Sequence, residues 1–115
     1  MSSLLLNRAR KELSDAEGFL QNGLAGRSRV CARRASGAAI QYYLEESDAP
    51  IHSVNAYDLL LLFQSNDQIP AEVRQASQTL TTRVDENFNL QAPMDPIQAA
   101  RLIIQWVLSQ YPESD

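Results

Sequence analysis

The chain has 115 residues, which suits one domain, and its composition is that of a globular protein. Apolar residues make up 44% of it and charged residues 21%, which argues against disorder. The single cysteine excludes an internal disulfide, and no apolar run approaches the roughly 20 residues of a membrane-spanning helix. Only three leucines precede the first charges, unlike a signal peptide. We therefore expect residues 1–115 to form a single domain in the cytoplasm.

The charge is distributed unevenly along the chain. The net charge is −4, but residues 1–34 carry seven basic and three acidic groups, and the remainder carries three basic and eleven acidic groups. Two interpretations stay open. The basic part neutralises the acidic part within the fold or across a dimer, or it forms an anion site. The overall acidity disfavours a sequence-independent nucleic-acid binder, because phosphate attraction dominates such binding.

The first two predicted helices form a hairpin around a glycine-containing connection. Apolar residues recur at three- and four-residue steps over residues 4–22, which predicts an amphipathic helix that ends at "NGLAG". A second helix is predicted over 27–46, with many small residues on it. Gly37 inside this helix costs about 1 kcal/mol relative to alanine. We therefore expect a neighbouring helix to pack closely against it.

Two further helices follow, separated by a proline-containing turn. The third is predicted from about 54 to 64, with Ser53 or Asn55 as its N-cap. Leucines at 59–62 surround it, so we expect it to be the most buried element. The fourth is predicted from 70 to about 87, because the proline at its start suits the first turn of a helix.

The fifth predicted helix spans 96–110 and carries two apolar stripes. Asp95 followed by Pro96 indicates an N-cap and a first-turn proline. Ile103 and Trp106 form the second stripe, which belongs either to the core or to a dimer seam. No segment alternates at period two. The predicted fold is therefore all-α, an up-and-down bundle of four long helices plus a shorter one.

Few residues carry recognisable chemistry. His52 is the only histidine, and with Cys31 it makes too small a ligand set for a protein-bound metal, so we expect no metal and no cofactor. The arginines are more informative, because four of them cluster at the start of helix two. They are Arg27, Arg29, Arg33 and Arg34. Such a cluster suits a nucleotide phosphate or an RNA backbone, or equally acidic side chains of helix four or of a second subunit.

Three segments together resemble the HEPN superfamily, the helical bundles named after higher eukaryotes and prokaryotes nucleotide-binding domains. "AEGFLQNGLAGRSRVCARRASGAAIQYYLEE" resembles the family's first hairpin. "IHSVNAYDLLLLFQ" is similar to its histidine-led, leucine-rich third helix, with His52 in the histidine position. "TLTTRVDENFNLQAPMDPIQAARLIIQWV" resembles its end, where a short loop precedes an alanine-containing helix. The resemblance covers nearly the whole chain and is carried by the order of the segments.

The resemblance implies a dimeric cytoplasmic bundle. Members accompany small nucleotidyltransferases, act as RNases in toxin–antitoxin or defence systems, or bind nucleotide. The RNase branch uses an arginine, a short polar spacer and a histidine. Arg83 matches the arginine, but Phe88, Asn89 and Leu90 stand where the histidine is expected. Without an imidazole, no side chain there exchanges a proton near neutral pH.

Three functions are therefore compared. The first is a non-catalytic HEPN-like homodimer that binds a nucleotide or a partner protein such as a small nucleotidyltransferase. The second is an RNase with a degenerate site, formed by Arg83, Asn87 and His52 across a dimer. The third is a structural helical adaptor outside the family.

Overall fold

The computed structural model describes residues 3–82 and 94–113, and this part of the chain is all helical, as predicted. In chain order the helices are α1 (Leu4–Gln21), α2 (Ala25–Glu46), α3 (Ala56–Gln64), α4 (Ala71–Thr81) and α5 (Pro96–Gln110). Within the same residues, none of these helices has the length and apolarity to cross a membrane.

Three helices begin at side-chain caps, two of which the sequence predicts. Asn55 rather than Ser53 caps α3, and Asp95 caps α5 with Pro96 in its first turn. Ser3 does the same for α1. In each case a side-chain oxygen accepts hydrogen bonds from two first-turn amides, which have no partner within the helix. Local sequence therefore determines where these helices start.

The fourth helix is shorter than predicted. It ends at Thr81, because Thr82 adopts an extended backbone with φ −71° and ψ 135°. Pro70 is its N-cap residue and does not lie in the first turn. With nine residues in α3 and eleven in α4, the described part of the chain has three long helices and two short ones, where four long helices and one shorter one were expected. The rest of the range expected for this helix lies outside the described residues.

The centre of the fold is α2, which packs against each of the other four helices. Twelve of its 22 residues are buried, compared with three of nine in α3. Leu61 and Leu62 on α3 are 39% and 46% exposed. The prediction that the leucine-rich third helix is the most buried element is therefore wrong. The reason is that α3 packs mainly on α2 and α4, with Phe63 also reaching Trp106 of α5, so its outer side faces solvent.

The close packing predicted at Gly37 is confirmed. A Cβ atom placed on this glycine would lie 2.8 Å from the Cβ of Ala56 and 2.9 Å from its Cα. Real Cβ atoms do not approach other carbon atoms this closely, so only glycine lets the start of α3 rest on α2.

We predict that Gly37→Ala lowers the free energy of unfolding by about 1–3 kcal/mol, because the Ala56 backbone must move. Gly18→Ala in α1 is the matched control, since nothing lies within 4 Å of a Cβ added there. This control should stabilise the protein by up to about 1 kcal/mol through helix propensity. Urea denaturation of both variants measures the effects. Equal stabilisation by the two substitutions would contradict the close contact.

Four aromatic rings join α2, α3 and α5. Tyr43 lies 5.4 Å from Phe63, 5.2 Å from Trp106 and 5.5 Å from Tyr111, measured between ring centroids. Trp106 is therefore largely buried, and Ile103 beside it is fully buried within its own chain. Ile103 thus offers no surface to a second copy, which leaves Trp106 as the accessible member of the expected seam.

We predict that the stabilising effect of Tyr42 declines above about pH 10, the ordinary tyrosine pKa. The Tyr42 hydroxyl donates to the Tyr111 carbonyl (2.8 Å), and burial raises its pKa, with help from the charges of Glu46 and Glu113. The unfolded chain then loses this proton first, so stability falls as pH rises through the folded pKa. Urea denaturation of wild type and Tyr42→Phe between pH 8 and 11 tests this. The difference between them should shrink with pH, and a constant difference would contradict it.

Candidate anion-binding site

Two of the four predicted anion-site arginines bind the C-terminal end of α4. Arg29 is only 7% exposed, and its Nη2 donates to the carbonyl oxygens of Thr79 (3.2 Å) and Thr82. Arg33 Nε donates to the carbonyl of Leu80 at 2.6 Å. The last carbonyls of a helix have no partner within it and carry partial negative charge. The two guanidinium groups therefore cap α4 from α2.

The buried charge of Arg29 is compensated only in part. Burial lowers the pKa of its guanidinium, and the charge of Arg33 lowers it further. The group nevertheless stays protonated, because arginine does not deprotonate in proteins. Its Nη1 atom is buried and has no hydrogen-bond partner among the described residues. Arg29 is thus a structural residue, and it is not available to a ligand at the surface.

We predict that Arg29→Met lowers the free energy of unfolding by about 1–3 kcal/mol, because carbonyls at the end of α4 lose their donor. Arg27→Met is the control, an exposed arginine on the same helix whose removal should change stability by less than about 0.5 kcal/mol. Chemical denaturation with circular dichroism measures both. An Arg29→Met variant as stable as wild type would mean that burying the charge costs as much as its hydrogen bonds contribute.

Arg33 also belongs to an arginine cluster around an open groove between α1, α2 and the start of α3, which we name the arginine groove. Its volume is about 320 Å³, and Arg8, Arg33 and Arg34 line it. The remaining lining residues are Val30, Gly37, Ala38, Gln41, Val54, Asn55 and Ala56. The first turn of α3 therefore opens into the groove, and the positive end of its helix dipole adds to the arginine charges.

The positive charge of the groove has no acidic counterpart among the described residues. Within residues 3–82 and 94–113, no carboxylate lies within 4 Å of the three groove arginines. The ion pairs there are Arg10–Glu113, Lys11–Asp15, Arg74–Asp67 and Arg101–Glu17. Arg33 uses its Nε on α4, while Arg8 and Arg34 make no hydrogen bond to this part of the chain. The groove is suited to an anion for this reason.

The structure thus divides the predicted cluster and adds one residue to it. Arg33 and Arg34 line the groove together, whereas Arg27 lies over the Phe19 ring, 5.9 Å from its centroid. Arg8 was not predicted. Its position follows from the register of the antiparallel α1–α2 hairpin, in which Ser28 donates to the Ala16 carbonyl (2.7 Å). Eight residues further from the connecting loop than this hydrogen bond, α1 has Arg8 and α2 has the residue before Gly37, which lines the groove.

Of the three predicted RNase residues, only His52 lies in the described part of the chain. Arg83 and Asn87 lie outside the described residues. His52 is exposed in the loop before α3 and borders a different cavity with Ser53 and Asp58. In residues 3–82 and 94–113, no group of three potential ligands from His, Cys, Asp and Glu is placed to hold a metal ion.

The chain matches no protein-family model, no curated protein and no solved structure. The resemblance to HEPN proteins consequently depends on the three sequence segments alone.

Proposed function

We propose that the chain is a non-catalytic HEPN-like module that binds a nucleotide through its phosphate groups in the arginine groove. One observation carries this proposal: three arginines border one groove, and no described carboxylate is paired with any of them. Arginine presents planar, forked N–H donors that match phosphate oxygens in pairs. A phosphate would thereby acquire the hydrogen bonds and counter-charges that the groove leaves unused.

The shape of the groove favours a small phosphorylated ligand. A volume of about 320 Å³ is near the lower end of typical ligand pockets. Gly37 and Ala38 keep its base shallow, while Val30 and Val54, which are 40% and 66% exposed, offer apolar surface for a base. Long RNA is a poorer fit, because the net charge of −4 opposes phosphate attraction beyond this one groove.

The resemblance to HEPN proteins supplies the proposed oligomeric state and the proposed partner. A homodimer and a small nucleotidyltransferase partner follow from the HEPN pattern, with Trp106 as the accessible residue of the expected seam. RNA cleavage is not proposed, because the sequence lacks the family's histidine after Arg83. His52 borders another cavity and is not among the groove residues.

We predict that ATP binds to the wild-type protein and that Arg8→Ala and Arg34→Ala each weaken binding by about tenfold or more. A hydrogen bond to a charged group contributes about 1.5–3 kcal/mol, which corresponds to at least this factor. Arg27→Ala is the control, since it removes the same charge from α2 outside the groove. Its affinity should stay within about twofold of wild type. Isothermal titration calorimetry at low ionic strength measures all four proteins.

Adenosine and inorganic phosphate serve as comparison ligands. Phosphate should compete with ATP and adenosine should not, because the arginines bind the phosphate groups. No heat of ATP binding at millimolar concentration, or equal losses in Arg34→Ala and Arg27→Ala, would contradict the proposal. Circular dichroism spectra of each variant confirm that the helices are intact.

A further inference from the structure

A second cavity lies between α2 and α3 near the C-terminal end of α2, and its lining is mostly apolar, unlike that of the arginine groove. Its volume is about 420 Å³, and it is formed by the C-terminal end of α2, the loop that follows and α3. Most of its lining is apolar and comes from Tyr43, Leu44, Ile51, Leu59, Leu62 and Phe63. An apolar cavity of this volume with a few polar groups at its edge is typical of a binding site.

The polar edge of this cavity is built around a carboxylate. Ser53 Oγ donates to Asp58 Oδ2 at 2.8 Å, and His52 lies beside them. This hydrogen bond fixes the orientation of the carboxylate and leaves its other oxygen without a partner among the described residues. Asp58 is exposed, so the free oxygen is accessible to a cation at the mouth of the cavity.

The surface around the cavity is apolar and acidic. Tyr57 and Leu62 on α3 are 47% and 46% exposed, and Leu62 forms part of the cavity wall. Glu45, Glu46 and Asp48 are exposed on the segment of α2 and the loop that leads to the cavity. Over residues 35–82 there are six carboxylates and one arginine, Arg74. A partner of opposite charge with apolar side chains complements such a surface.

We propose that this cavity is a docking site for a basic amphipathic segment of a partner protein, whose apolar side chains enter the cavity while a lysine or arginine binds Asp58. The acidic surroundings steer the basic segment toward the cavity, and burial of Leu62 against its apolar side chains provides the affinity. This inference is independent of nucleotide binding, since the cavity shares no lining residue with the arginine groove.

Trp106 provides an internal reporter for the cavity. It is the only tryptophan, and its ring lies 5.2 Å from Tyr43 and 5.8 Å from Phe63, which both line the cavity. A side chain that enters the cavity contacts these two rings and changes the environment of the indole. Tryptophan fluorescence therefore reads occupancy without a label.

The experiment uses three capped twelve-residue peptides that lack tryptophan. Each carries two leucines, spaced i,i+3 in the first peptide, i,i+4 in the second and i,i+7 in the third, and all of its charged residues are lysines. At least one peptide should give a saturable change in Trp106 fluorescence at micromolar concentration. Leu62→Ala and Asp58→Asn should each weaken that binding about tenfold, and Asn still accepts the Ser53 hydrogen bond. Leu61→Ala is the control, because Leu61 is 39% exposed on α3 but does not line the cavity. It should leave the affinity unchanged.

Several results would overturn the proposal. The first is that none of the three peptides saturates the fluorescence change at millimolar concentration. The second is that a peptide with glutamate in place of lysine binds as tightly as the lysine peptide. The third is that Leu62→Ala and Asp58→Asn both bind the peptide with wild-type affinity. Phenethylamine is tested alone as well. Affinity equal to that of the best peptide would assign the cavity to a small organic amine and exclude a peptide site. ATP titrations of Leu62→Ala and Asp58→Asn should match wild type, so a failure here is distinguishable from a failure of nucleotide binding.

Discussion

The contact between Gly37 on α2 and Ala56 at the start of α3 is the constraint on which both candidate sites depend. Only a residue without a Cβ lets these two helices approach so closely. Gly37 and Ala56 themselves border the arginine groove. Further along the same pair of helices, Tyr43 and Asp58 border the apolar cavity. A shift of α3 along α2 therefore changes the shape of both sites together.

The described ion pairs neutralise the uneven charge of the sequence only in part. Arg10 of the basic part pairs with Glu113 of the acidic part, which is the predicted kind of neutralisation, whereas the Arg101–Glu17 pair joins the two parts with the opposite signs. These pairs are exposed and contribute little to stability, about 0–1 kcal/mol each. The groove arginines have no such described partner. Three arginines without a described carboxylate partner therefore lie together at the groove, while residues 35–82 carry six carboxylates and one arginine.

The features predicted correctly are those that depend on neighbouring residues. The caps at Asn55 and Asp95, the helical periodicity and the need for a small residue at 37 can all be read locally. The end of α4 and the composition of the groove could not be predicted in this way. The first depends on Arg29, which binds carbonyls about fifty positions away, and the second on Arg8, which reaches the groove from another helix. Both are consequences of helix packing.

The capping of α4 by Arg29 also bears on the order in which the chain folds. The α1–α2 hairpin closes through a short connection, and its Ser28–Ala16 hydrogen bond spans only 12 positions. The Arg29–Thr79 hydrogen bond spans 50 positions, so the loss of chain entropy on closing it is larger. We therefore expect the hairpin to act as the early scaffold and α4 to dock on it late. Docking of α4 also removes water from the Arg29 guanidinium ion. We therefore expect the ionic strength to affect the rate of this docking step.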